Sequence, residues 1–302
     1  MNLVAGSLVV FSAFIHAFWN YSSKSRGATV AYFFMAVATS GVVLSPMLYF
    51  YRDLIPRLSP IFWVLVVLTG AFQTLYFASL ISAYQTGDLS VAYPLLRAIP
   101  VILVAFISLV MNDGSAPSKI GWIGILLVAM GCLCLPLLSF RKVRLSNYLT
   151  ISCFFALLAG LGTTGYSLVD NRALSLLLTM NGDGLAKITN SLFYLEVQLA
   201  STFVFMAAYM AVSRAERVHL LENFSGHFWQ AAQTGLLVSL TYGLVLVAMT
   251  LATSVSYIVA FRQLSIPIGG IFGMVFQKES HPLPRVFGIG FIFIGLVLVA
   301  IA

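Results

Sequence analysis

The feature that most restricts this chain is a series of ten apolar runs, at about 2–22, 29–50, 61–86, 89–111, 119–138, 148–170, 189–213, 228–251, 254–276 and 284–302. A helix rising 1.5 Å per residue needs about 20 residues to cross a hydrocarbon core about 30 Å thick, and each run is about that long. The runs are continuously apolar, whereas barrel strands would alternate lipid-facing and lumen-facing residues over about ten positions. Composition points the same way. Only 8% of the 302 residues are charged and 60% are hydrophobic, where a soluble domain would be roughly a quarter charged. The expected fold is an all-α integral membrane protein with ten transmembrane helices.

The first run lacks a basic leader and contains His16, Trp19 and Asn20, so it reads as a retained helix and not a signal peptide. Cys132 and Cys134 lie two apart on one helix and Cys153 lies in another run, which indicates neither a disulfide framework nor a metal site. A net charge of +7 would suggest nucleic acid as the partner of a soluble protein. Here the basic residues cluster in short loops, including Arg141, Lys142 and Arg144, where they set membrane orientation. No catalytic motif, phosphate-binding loop or cofactor fingerprint is present, and the loops leave no room for a soluble catalytic domain. The chain is expected to be no enzyme and to need no cofactor.

Residues 1–138 and 148–302, joined by a basic segment at 139–147, each hold five runs in matching order. Leu89-Ser-Val-Ala-Tyr93 has its counterpart in Thr253-Ser-Val-Ser-Tyr257. Arg97 and Pro100 recur as Arg262 and Pro267, and Gly121 recurs as Gly288. Because five is odd, consecutive repeats enter the membrane from opposite faces. Such inverted repeats serve alternating access around a midplane site in transporters.

His16-Ala-Phe-Trp19-Asn20 with Lys24, Tyr93-Pro94-Leu-Leu-Arg97-Ala-Ile-Pro100, and the repeat ends Lys119-Ile-Gly121-Trp-Ile-Gly124 and Arg285-Val-Phe-Gly288-Ile-Gly290 resemble the drug/metabolite transporter superfamily, specifically its EamA-type ten-helix members. The resemblance runs over essentially the whole chain. It implies a cavity lined by the first, third, fourth, sixth, eighth and ninth spans, and substrates such as amino acids and related metabolites. The acidic residue that such proteins often carry before the fifth helix is matched here by Asn112-Asp113, with Glu279 in the second half.

Arg97 and Arg262 each lie eight residues into their spans, about 12 Å from opposite faces, and so flank the midplane. An arginine there costs at least about 2.5 kcal/mol unless it meets a partner or a wet cavity. The pair can offer parallel donors to a carboxylate or phosphate, or can hold the bundle together through carbonyls or an internal carboxylate. His16, Trp19 and Asn20 share a helix face and form a second stripe of substrate-binding candidates, with Tyr93 and Tyr257 one turn before the arginines. Gln73, Tyr76, Tyr84, Tyr166, Tyr242 and Gln263 are further polar points on expected inner faces. Glu196, beside Gln198 inside the seventh span, is the proton-coupling candidate, because a buried carboxyl exchanges its proton more readily than it carries charge; an internal salt bridge to an arginine is the alternative. Pro94, Pro100 and Pro267 lack backbone donors and are hinge candidates. Gly160, Gly162 and Gly165, and Gly269 with Gly273, form small faces suited to close helix packing.

Nine Lys and Arg fall in loops after odd spans (Lys24, Arg26, Arg141, Lys142, Arg144, Arg214, Arg217, Lys278 and Arg285) against five after even spans (Arg52, Arg57, Lys119, Arg172 and Lys187). This asymmetry puts both termini outside, while many relatives are drawn with both inside. The reading is a secondary transporter in a bacterial inner (plasma) membrane. It exports amino-acid-like or amino-acid-derived zwitterionic and anionic metabolites, including opine-like metal chelators. Uptake or exchange of organic phosphates or nucleotide-linked compounds is the second reading, and a membrane-embedded enzyme or assembly partner the third. The expected partners are a small-molecule substrate, lipid and, through coupling, the proton. Nucleic acid is not among them, and a homodimer is compatible with the pattern.

Overall fold

The computed structural model describes residues 3–24, 29–86, 89–111, 117–134, 137, 139, 149–181, 185–266, 268 and 282–302, with side chains at 19–24, 84, 89–95, 181, 185 and 225 left out. Among these residues every regular element is helical: α1 (Leu3–Lys24), α2 (Val30–Leu44), α3 (Pro46–Phe50), α4 (Pro60–Thr86), α5 (Leu89–Met111), α6 (Lys119–Cys134), α7 (Ile151–Asn181), α8 (Leu185–Val212), α9 (Arg214–Gly226), α10 (Phe228–Leu251), α11 (Val255–Phe261) and α12 (Leu283–Ile301), with short 3-10 turns at Ile55–Arg57 and Arg262–Leu264.

Six helical segments are long and apolar enough to cross a membrane: Val30–Phe50, Pro60–Ala83, Ile151–Met180, Ala186–Val212, Phe228–Leu251 and Leu283–Ile301. Three shorter apolar helices, Leu3–Phe18, Leu96–Met111 and Lys119–Cys134, accompany them. Their outward faces carry exposed large apolar side chains, among them Phe11, Phe14, Val43, Val64, Phe106, Leu126, Phe154 and Val297. A water-soluble surface does not present apolar groups so continuously. The chain is an integral, multi-pass membrane protein.

The structure corrects three sequence boundaries. The sixth run does not end at 170 but continues as helix to Asn181, so Asp170 and Arg172 are helical. The basic loop after the seventh run contains a helix, α9. Ser213 caps it by accepting from Glu216 N–H, and Glu216 turns its carboxylate to the Ala31 N–H at the start of α2, 2.9 Å away. The ninth run is not one even helix. After Phe261 it tightens into the 3-10 turn at Arg262–Leu264. Gln263 Nε2 there takes the Val259 carbonyl at 3.0 Å, a side-chain amide standing in for backbone pairing. Pro267, which lies outside the described residues, cannot donate a backbone hydrogen bond.

Helices pack where small residues let backbones meet, because lipid offers no hydrophobic drive between them. α6 and α12 run antiparallel: a β-carbon at Gly124 would stand 2.6 Å from the Gly295 carbonyl oxygen, and one at Gly131 would stand 2.6 Å from that of Gly288. Gly162 and Gly165 of α7 admit Phe72 and Tyr76 of α4, and Gly160 meets Ile99 of α5. Gly235 of α10 rests on the Ala36 carbonyl of α2. The helix pairs in contact include α1 with α10 and α4 with α7, α2 with α10 and α4 with α8, and α2 with α8.

Replacing Gly235 with Val drives two methyl-bearing branches into the α2 backbone, so thermal unfolding in detergent micelles should show a loss of about 1–3 kcal/mol. A Gly290→Val variant, where a β-carbon meets nothing within 4 Å, should stay near wild type.

Candidate functional site

Two adjoining compartments inside the bundle hold most of the polar residues that the sequence singles out. The smaller is lined by Tyr76, Leu96, Arg97, Pro100, Thr163, Tyr166, Val259, Arg262 and Gln263. The larger is lined by His16, Val37, Gln73, Tyr76, Phe77, Tyr166, Leu195, Gln198, Leu199, Val238, Ser239, Thr241, Tyr242 and Arg262. Tyr76, Tyr166 and Arg262 stand on the wall between them. The walls come from α1, α4, α5, α7, α10 and the α11 segment, with α2 and α8 in addition to the six expected spans.

Arg97 and Arg262, 165 positions apart in sequence, face the same compartment. Arg97 reaches across to α1, its Nη2 lying 2.7 Å from His16 Nε2. A guanidinium can only donate, so this imidazole nitrogen accepts and His16 is neutral in this arrangement. Arg262 donates through Nη2 to the Tyr166 hydroxyl at 3.4 Å. Its Cζ stands 5.3 Å from the Tyr242 ring centre and 6.0 Å from that of Tyr166, and it forms no ion pair with a carboxylate among the described residues. Aromatic faces and a phenol oxygen therefore take the place of a counter-ion. Nη1 of Arg262 is buried with no hydrogen-bond partner among the described residues.

Pro100 lines the smaller compartment one turn beyond Arg97, where its missing N–H leaves the Leu96 carbonyl without its helical donor. Tyr257 turns elsewhere. Its hydroxyl accepts from Ser118 N–H at 2.9 Å and its ring fills the space beside Gly121, joining α11 to the start of α6. Glu196 also stands apart from the two compartments. It is 4% exposed and makes no ion pair with either arginine. A β-carbon at Gly41 of α2 would lie 4.0 Å from its Oε2, which has no hydrogen-bond partner among the described residues. The side chains of Trp19, Asn20, Tyr84, Tyr93 and Pro94, and all of Pro267, Gly269 and Gly273, lie outside the described residues.

The residue that the sequence reading passes over is Asp170. It is 0% exposed, and four donors close on it from three other helices. Thr69 of α4 and Tyr194 of α8 donate to Oδ1 at 2.6 and 2.7 Å. Gln198 Nε2 of α8 donates to Oδ2 at 3.0 Å, and the Tyr242 hydroxyl of α10 donates to the same oxygen. Two donors on each oxygen is the pattern of an ionised carboxylate. Tyr242 thus links the two charges, its ring beneath Arg262 and its hydroxyl on Asp170. The string Asp170-Asn171-Arg172 reads as a span boundary. The signal that would have found Asp170 is the apolar stretch that resumes at Ala173-Leu174, which makes it an intramembrane ionisable residue.

Comparison with known proteins adds a family likeness to this geometry. Residues 3–137 match the EamA-like transporter family. That stretch, just under half of the chain, is similar to EamA-like transporters, a family of the drug/metabolite transporter superfamily. No curated protein matches the sequence. A solved structure, described as a crystal structure of a protein, aligns with a TM-score of 0.68 at 12% identity, covering 98% of this chain and 97% of that one, which establishes likeness of fold.

Tyr194 touches Asp170 without lining either compartment. Tyr194→Phe keeps the ring and removes one donor to a buried carboxylate, so it should cost about 1.5–3 kcal/mol in chemical unfolding of the micellar protein.

Proposed function

We propose that this EamA-like protein is a secondary transporter that exports small carboxylate-bearing metabolites, amino acids or amino-acid-derived zwitterions, by alternating access. The observation that carries the reading is the convergence of Arg97 and Arg262 on one buried compartment, where Arg262 keeps an unused donor and meets no carboxylate of the described protein. A substrate carboxylate would supply the missing acceptor, and a planar guanidinium can meet it through two parallel bonds. His16 holds Arg97 on the α1 side, while Trp19, Asn20 and Tyr93 are further binding candidates by sequence. Glu196, on α8 beside Gly41 of α2, is the proton-coupling candidate, and Pro94, Pro100 and Pro267 are the hinge candidates.

The inverted repeat of residues 1–138 and 148–302 is supported by the packing. Under a two-fold exchange of halves, the α1–α10 contact maps onto α7–α4 and the α2–α10 contact onto α8–α4. The α2–α8 and α6–α12 pairs map onto themselves. Each of these contacts occurs, so rocking one half against the other would open the compartments to either face in turn. The membrane we assign is a bacterial inner membrane.

Metabolite profiling of cells and medium tests the substrate. With matched membrane levels, wild type should move one or a few carboxylate-bearing compounds outward, and the Arg97→Ala, Arg262→Ala double variant should abolish that movement. Identical redistribution by both proteins would make the arginines structural, and redistribution of phosphate esters alone would favour the organic-phosphate reading. For coupling, Glu196→Gln in proteoliposomes should remove acceleration by an imposed proton gradient while leaving substrate affinity within about two-fold. Unchanged acceleration would exclude Glu196.

A further inference from the structure

We propose that the wall formed by Gln198 and Ser239 is an ammonium-binding subsite, held in its accepting orientation by Asp170. This deepens the carboxylate-transporter reading and rests on it: the arginines take the anionic end of a zwitterion, and this wall takes the cationic end.

The argument begins with an amide that can face two ways. Gln198 is 1% exposed. Its Nε2 is committed on both sides, to Asp170 Oδ2 at 3.0 Å and to Thr69 Oγ1 at 3.2 Å. Asp170 is saturated by donors and can only accept, so a flipped amide would set oxygen against carboxylate. The carboxylate thereby fixes the amide and leaves Oε1 as the acceptor that Asp170 and Thr69 do not engage. Oε1 is buried without a hydrogen-bond partner among the described residues, and Gln198 lines the larger compartment.

Ser239 lines the same compartment from α10, is 7% exposed, and its Oγ is likewise buried without a partner. Two buried oxygens on neighbouring helices, both able to accept, belong to residues lining a compartment whose other polar lining includes His16, Gln73, Thr241, Tyr242 and Arg262. Buried acceptors left unpaired cost free energy, and an N–H-bearing ligand removes that cost. A cation is favoured over a neutral donor because the Asp170 charge lies one hydrogen bond behind Gln198. Arg262, over the Tyr242 ring, supplies the opposite charge, so the same compartment holds a group for each end of a zwitterion. Asp170 touches no ligand in this scheme and is a positioning residue.

The test uses the full-length protein in lipid nanodiscs and measures binding of two sets of matched probes. One set is leucine, 4-methylpentanoate and 3-methylbutylamine; the other is phenylalanine, 3-phenylpropanoate and phenethylamine. Wild type should bind at least one amino acid roughly ten-fold or more tightly than its deaminated acid, the worth of one charge-assisted hydrogen bond or more. Ser239→Ala should shrink that ratio toward one while leaving affinity for the deaminated acid within about two-fold, and Asp170→Asn should shrink the ratio whatever it does to affinity for the acid. Arg262→Ala should instead weaken acid and amino acid together. A general loss of folding would lower both affinities, so the ratio separates positioning from structural damage, and Ser239→Ala leaves the Asp170 cluster intact. Equal binding of amino acid and deaminated acid by wild type, an unchanged ratio in both variants, or no binding of either amino acid would overturn the subsite. If the acids bind and Arg262→Ala has no effect, the arginine reading fails while the subsite is judged on the ratio alone.

Discussion

A carboxylate inside a membrane bundle has no water to turn to, and the helices around Asp170 are arranged by that fact. Its two oxygens collect Thr69 from α4, Tyr194 and Gln198 from α8 and Tyr242 from α10, so one charge on α7 joins four helices. Three of those helices come from the second half of the chain and one from the first. Breaking any of the bonds strands a donor or an acceptor in low dielectric, which is why such clusters fix helix register more firmly than apolar packing alone. The glycines of α7 complete the arrangement by letting α4 approach closely enough for Thr69 to reach.

From that anchor the cavity follows. Tyr242 stands between Asp170 and Arg262, so the arginine is offset by a nearby negative charge without being consumed by an ion pair. An arginine locked directly onto a carboxylate would have both faces of its fork occupied. Here Nη1 is left over. Arg97 is treated similarly: a neutral imidazole accepts from it, so the guanidinium keeps its full charge beside the compartment. Tyrosine and histidine thus stand where aspartate and glutamate would stand at a structural salt bridge.

The family match covers residues 3–137. α6 and α12, with glycines seven residues apart on each, close the bundle away from the compartments, whereas α2 and α8, which enclose Glu196, lie beside them. Tyr257 spends its hydroxyl on the Ser118 backbone where α11 meets α6, so a place one turn before an arginine in sequence does not by itself turn a side chain toward the compartments.

The sequence by itself determined that this chain is helical and lives in lipid, because runs of about 20 apolar residues and a dearth of charge permit no other solvent. It also singled out Arg97, Arg262 and His16, since polar groups within apolar runs are costly enough to need a purpose. The tertiary structure decided which of those groups meet. Helical phase can say that two residues lie on inner faces, but not that Arg97 finds His16, that Glu196 turns to Gly41 and not to an arginine, or that Tyr242 joins Asp170 to Arg262. Asp170 was hidden for a related reason. Its neighbours Asn171 and Arg172 look like the end of a span in one dimension, and only the donors that three other helices bring to it make the position an interior one.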